Sequence, residues 1–147
     1  MNYRVLQLTN TAVGAVAADT LMPLGAVTRR ICCSGNSGTP TFAISTSGTD
    51  TITLNKTGYY RVSYVGSLVA GAAGAVSLAL VANGTPIYTV SETATAAGDT
   101  VNISLEYMVR VLPNCASVLN APLNIQIENT GVALTGGTSN ILIEKTY

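Results

Sequence analysis

Side chains that titrate, coordinate metals or attack carbonyls are the raw material of chemistry, and this chain is short of all of them. Its 147 residues include no histidine. That removes Ser-His-Asp and Cys-His machinery, His-based zinc sites and the usual acid/base group near neutral pH. Cys32, Cys33 and Cys115 are the three thiols. There is no C-x-x-C, adjacent cysteines cannot easily share a bond without strain, and an odd count argues against a disulfide framework. They read as small buried hydrophobes.

The carboxylates are equally unhelpful to catalysis. Asp50, Asp99 and Glu92 fall in turn-like stretches, where Asp commonly bonds its own backbone. Glu106, Glu128 and Glu144 fall at solvent-facing positions of alternating segments. No spacing pairs two of them as glycoside hydrolysis requires, and no EF-hand-type loop exists. "GVALTGGT", residues 131–138, nearly spells a phosphate-binding loop, but Gly137 stands where the lysine would be and the segment precedes a strand, not a helix. The chain is therefore expected to be no enzyme and to need no metal or cofactor. Tyr59, Tyr60, Tyr64, Tyr88 and Tyr107 could stack on a sugar, but their inward alternation favours a core or a subunit interface. Three glycosylation triplets, at Asn55, Asn83 and Asn102, are what chance gives in a chain rich in Asn and Thr.

Charged residues make up only 10% of the chain, and seven basic groups cancel seven acidic ones. A net-neutral protein exerts no long-range pull on nucleic acid or on an anionic membrane, so neither is expected as a partner. Residues 1–49 hold Arg4, Arg29 and Arg30 against Asp19, a net of +2, leaving −2 for the remainder. Such an asymmetry speaks only weakly to association. The N-terminal "MNYRVLQLTNTAVGAVAADT" is broken by Gln7, Thr9, Asn10 and Thr11, so it lacks the apolar core of a secretion signal. Met1 is read as the start of the folded chain.

The elements that position these groups announce themselves in "VSYVGSLVAGAAGAVSLALVA", residues 62–82, part of a run without charge from Val62 to Ser91. Its length would suffice for a membrane-spanning helix. Its period is two, however: Tyr60, Val62, Tyr64, Gly66 and Leu68 share one face of an extended strand. After "AGAAGA", Val76, Leu78 and Leu80 alternate with Ser77, Ala79 and Val81, and the run closes on Asn83-Gly84, a strong hairpin signal. Gly and Val are poor helix formers in water. Two strands joined by small residues fit better than a span. "YRVLQLT", "TITLNKTGYYRVSY", "TPIYTVS", "VNISLEYMVRVL", "PLNIQIEN" and "SNILIEKTY" continue the pattern between turn-rich pieces. In the fourth, Val101, Ile103, Leu105, Tyr107, Val109 and Val111 share the inward face. The expectation is an all-β antiparallel sandwich. Residues 1–25 form an N-terminal strand or arm, available for attachment, and 26–147 the sandwich domain. The outward faces carry Ser, Thr, Ala and Asn in place of Lys and Glu. Such edges do not discourage association, which predicts a closed homo-oligomer.

At "ITLNKTGYYRVSY" the chain resembles the signature of C1q/tumour-necrosis-factor-like jelly rolls: Ile52, then Gly58-x-Tyr60-x-Val62-x-Tyr64, with Ile52 and Val62 where that pattern has Phe. "LNKTGYYRVSY", "VSLALVANGTPI" and "GTSNILIEKTY" are similar to the heads of bacterial collagen-like spore-surface proteins and of bacteriophage virion proteins. The resemblance covers roughly the C-terminal two thirds. It implies a two-sheet jelly roll, a tight homotrimer and display outside a particle. The collagen-like stalk that such heads follow is absent, since no G-X-Y repeat occurs. The functional expectation is a structural virion surface protein decorating a bacteriophage capsid, partnered by itself and by the major capsid protein. Arg4, Arg29 and Arg30 are the expected docking residues. The alternatives are a receptor-binding head that grips a host glycan or protein, and a head on a bacterial or spore surface.

Overall fold

The computed structural model describes residues 4–31, 40–45, 49–112 and 122–146. Eleven strands and no helix occur among them. In chain order they are β1 (Arg4–Asn10), β2 (Thr20–Leu21), β3 (Ala26–Ile31), β4 (Phe42–Ile44), β5 (Ile52–Leu54) and β6 (Gly58–Ala70). Then follow β7 (Gly74–Ala82), β8 (Thr85–Ala94), β9 (Thr100–Val111), β10 (Leu123–Asn129) and β11 (Leu134–Lys145). One sheet runs β3-β1-β11-β6-β9; the other runs β4-β5-β10-β7-β8, with β2 paired to β10. All pairings are antiparallel. This is a jelly-roll sandwich of the tumour-necrosis-factor type.

The period-two reading accounts for the long uncharged run. Along β6, Tyr60, Val62, Tyr64, Leu68 and Ala70 are buried, because every second side chain of a pleated strand faces the opposite sheet. At Gly71 the chain crosses to the other sheet, where its N–H donates to the Ala133 carbonyl at 2.7 Å. β6 and β7 therefore belong to different sheets. β7 and β8 form the expected hairpin. Asn83 and Gly84 both have positive φ, 48° and 83°, the backbone of a type I′ turn, which L-residues other than Asn, Asp and Gly seldom adopt. The Asn83 side-chain oxygen accepts from the Asn124 N–H at 2.8 Å, which fastens the turn to β10.

Between the sheets, Phe42 meets Tyr60 edge to face with centroids 6.1 Å apart, the arrangement that ring quadrupoles favour. Tyr60 still satisfies its hydroxyl by donating to the Lys56 carbonyl at 2.7 Å. Of residues 1–25, read from sequence as a strand or arm, the described part supplies β1, between β3 and β11, and β2 on β10. Leu6, Leu8, Val13, Val16, Met22 and Leu24 from this segment are buried in the common core. Fully buried Asn129 holds the segment in place. Its amide nitrogen donates to the carbonyls of Val16, Ala17 and Val132, and its oxygen accepts from the Gly131 N–H. A polar group in the core is tolerated because both ends of its amide are hydrogen-bonded.

Candidate functional site

The three arginines expected to dock do not converge on one spot. Arg29 pairs with Gln7 and Arg30 with Leu6, so the pleat sends their side chains to opposite faces of the sheet. Arg29 is exposed on the outer face. Arg30, also exposed, lies on the other face, and its guanidinium donates to the Phe42 carbonyl in β4, strapping the two sheets together along one flank. Arg4 lies opposite Lys145 at the end of the sandwich. Cys32, Cys33 and Cys115 lie outside the described residues.

The carboxylates mostly serve local structure. Asp99 accepts from the N–H groups of Thr95 and Ala96 and from the Thr95 hydroxyl, closing the turn between β8 and β9. These hydrogen bonds, that of the Thr95 side chain first, hold its carboxyl below the usual range. Asp50 accepts from the hydroxyls of Thr51 and Ser45. Glu92, expected in a turn, instead stands opposite Val76 within β8. The ladder with β7 runs on to Ala94, so the hydrogen-bond pattern, not local polarity, sets where the strand ends. Glu106 meets Arg61 at 2.8 Å, an exposed pair worth about 0–1 kcal/mol. Among the described residues no group of three metal-ligating side chains converges, and no helix is long and apolar enough to cross a membrane.

Gly137, the residue in the lysine position of the phosphate-loop-like segment, has a structural reason to be glycine. Its φ is +134° and a Cβ would lie 2.3 Å from the Ser67 carbonyl oxygen. The segment spans the start of β11, where a bulge shifts its register against β6.

Tyr88 and Tyr107 form the most distinctive surface feature. The sequence assigns Tyr107 to the inward face, and its register opposite buried Val62 agrees. Tyr88 likewise stands opposite buried Leu80. Yet the two are 41% and 36% exposed, because β8 and β9 are the outermost strands of their sheets and the space between the sheets opens sideways there. The rings stack across that opening with centroids 5.3 Å apart and planes inclined 29°. Met108, 51% exposed, follows on the outer side of β9. Near it Arg110 lies over the Tyr59 ring, 5.6 Å from its centroid, a cation–π geometry. Period-two reasoning finds the direction of these side chains but not which strands are outermost.

The outer face of the β3-β1-β11-β6-β9 sheet is polar and almost uncharged at its centre. A shallow depression of about 340 Å³ there is lined by Thr9, Val65, Ser67, Asn102, Thr138 and Asn140, among others. Gln7 and Thr9 donate to the Asn140 side-chain oxygen at 2.9 and 3.0 Å. Val65 stands 54% exposed beside it. Nothing in this hollow titrates. It offers amides, hydroxyls and one apolar side chain.

No family model matches the chain, and no curated protein matches it in sequence. Solved structures do match in fold. Eiger TNF from S. frugiperda superposes with a TM-score of 0.72 at 12% identity, over 100% of this chain and 94% of that one. The PRD1 vertex protein P5 gives 0.63 at 19% identity, over 98% and 97%. Murine APRIL gives 0.65 at 10% identity, over 97% and 98%. At such identities the likeness establishes the shared jelly-roll fold over essentially the whole chain.

Proposed function

We propose that this chain is a structural protein of a bacteriophage virion, a homotrimeric jelly roll that decorates the outside of the capsid. The observation that carries the reading is the end-to-end fold match to a vertex protein, joined to exposed apolar and uncharged patches suited to contact. Self-association is supported by the exposed apolar groups at the β8–β9 flank, Tyr88, Tyr107 and Met108, and by the uncharged centre of the outer face of the β3-β1-β11-β6-β9 sheet. These are two different patches on one chain, so a contact between them is heterologous and closes into a ring under cyclic symmetry. Aromatic and Met side chains are the types that interfaces favour. The partner beneath the trimer is the major capsid protein. Imaging the native particle tests this: trimeric density that fits the sandwich on the shell exterior is expected, and finding the protein only inside the particle or free of it would refute the role.

A receptor-binding head is the second reading, favoured specifically by the solvent-facing Tyr88–Tyr107 stack, since sugars pack on such rings. A competable signal on a glycan array, lost in Tyr88→Ala, would move the function to that reading.

A further inference from the structure

Net neutrality conceals a strong separation of charge. The strand registers place every Lys and Arg toward one end of the sandwich. Arg4 and Lys145 pair at the level of Tyr60, Arg61 stands next to it, and Arg110 is opposite Tyr59. Arg30 lies opposite Leu6, and Arg29 opposite Gln7 at the level of Ser63. Lys56 is in the turn that precedes β6 at the same end. From Tyr64 to Ala70 the registers with β11, β1 and β9 hold no cation.

On the β6 sheet, Glu144 and Glu106 share the cationic end, opposite Arg61 and Ser63. Asp99 is bonded through its carbonyl to Ala70 at the far end, and Glu92 faces Val76 near the start of β7. Asp19 joins Asn129, and Glu128 and Asp50 lie toward the middle of the other sheet, opposite Ala79 and just before β5. All seven cations thus lie toward one end, with Glu106 and Glu144 among them, while Asp99 and Glu92 lie at the other. The arrangement works against stability at one place: Arg4 and Lys145 are like charges directly opposite across two strands, which is unfavourable.

We propose that this cationic end is a docking surface for a carboxylate-rich protein surface, with the acidic end facing away. The proposal rests on the virion reading above, where copies related by a ring axis along the strands would present their cationic ends together. A protein is favoured over a phosphate polymer because the end is not uniformly basic. Glu106 and Glu144 interrupt the cations, and exposed Ile31, Tyr59 and Met108 lie among them. A polyphosphate would meet repulsion at the carboxylates and gain little from the apolar groups, whereas protein interfaces mix Arg, aromatic and Met side chains.

The test uses the intact protein, with fluorescent poly-L-glutamate as the carboxylate probe and a duplex DNA as the phosphate probe. Anisotropy should show poly-L-glutamate binding that weakens about tenfold or more as salt shortens the screening length. Lys56→Gln with Arg110→Gln should weaken it about fivefold or more, and Ser91→Glu with Thr93→Glu, the same charge change at the other end, less than about twofold. Circular dichroism and sedimentation of each variant show that fold and assembly are intact. Equal effects of the two pairs, tighter binding of DNA than of poly-L-glutamate, or salt-sensitive head-to-tail growth of the protein itself would each overturn the proposal. None of these outcomes touches the trimer or its place on the particle, which imaging decides separately.

Discussion

Tyr88 from one sheet and Tyr107 from the other stack across the open flank of the sandwich, with ring centroids 5.3 Å apart. Within one subunit the pair contributes about 0.5–1.5 kcal/mol beyond its buried area. Tyr107→Ala should therefore cost little in subunit stability yet shift the assembly toward monomer, because it removes a large apolar contact from the exposed patch. Sedimentation velocity reads the shift. A Tyr107→Ala protein that sediments as wild type would remove this flank from the interface.

Asn129 predicts a different kind of loss. Its side chain bonds three carbonyls and one N–H while fully buried. Asn129→Ala removes all four bonds; the Val16 and Ala17 carbonyls keep those from the Leu134 N–H and the Thr20 hydroxyl, but the Val132 carbonyl and the Gly131 N–H lose their side-chain partner, and the change should destabilise by about 1–3 kcal/mol. Asn129→Asp should be worse, since it turns a carboxylate oxygen toward three carbonyls. Urea unfolding midpoints give both values; an Asn129→Ala protein as stable as wild type would contradict the role.

Gly137→Ala should lower the melting temperature, since a Cβ would fall 2.3 Å from the Ser67 carbonyl at a φ that side chains rarely adopt. ATP should leave the wild-type melting temperature unchanged. A nucleotide-induced rise would mean that the segment 131–138 binds phosphate after all.

Tyr60 and Tyr64 make alkaline stability a readout of the core. Burial pushes the Tyr60 phenol up to about 12, opposed by the Arg4 charge and by the bond to Lys56. Tyr64 is also raised by burial; nearby Ser139 opposes this, although neither hydroxyl makes a hydrogen bond of good geometry. Both groups hold their proton more tightly when folded. Their contribution is thus fully present below the ordinary phenol value of 10.0 and declines as pH rises above it, for Tyr60 toward about 12. Absorbance titration should show these two ionising only as the protein unfolds, and Tyr60→Phe should flatten the alkaline loss. Reversible ionisation of every tyrosine in the folded protein would contradict this.

Removing residues 4–10 should abolish soluble folded protein, because β1 sits between β3 and β11 and carries Leu6 and Leu8 into the core. Well-folded truncated protein, by circular dichroism, would show that this strand is dispensable.

The parts of this structure legible in the sequence are those governed by neighbours along the chain. Alternation from Tyr60 to Leu68 gave the buried face of β6, and Asn83-Gly84 gave a turn, because pleat and turn chemistry are local. Non-local pairing was not legible. Opposite Val62 and Leu80, Tyr107 and Tyr88 look like core residues until the sheet order puts their strands outermost. Arg29 and Arg30 look like one basic site until the register with β1 turns them to opposite faces. The charge separation is the extreme case, since Arg4 and Lys145 are far apart in sequence and meet only through the β1–β11 ladder.

Assembly state tests the central claim most directly. Sedimentation equilibrium of the purified protein should give one species at three times the 15.1 kDa chain mass, and it should persist on dilution. A folded species at the mass of a single chain throughout the dilution series would contradict the account.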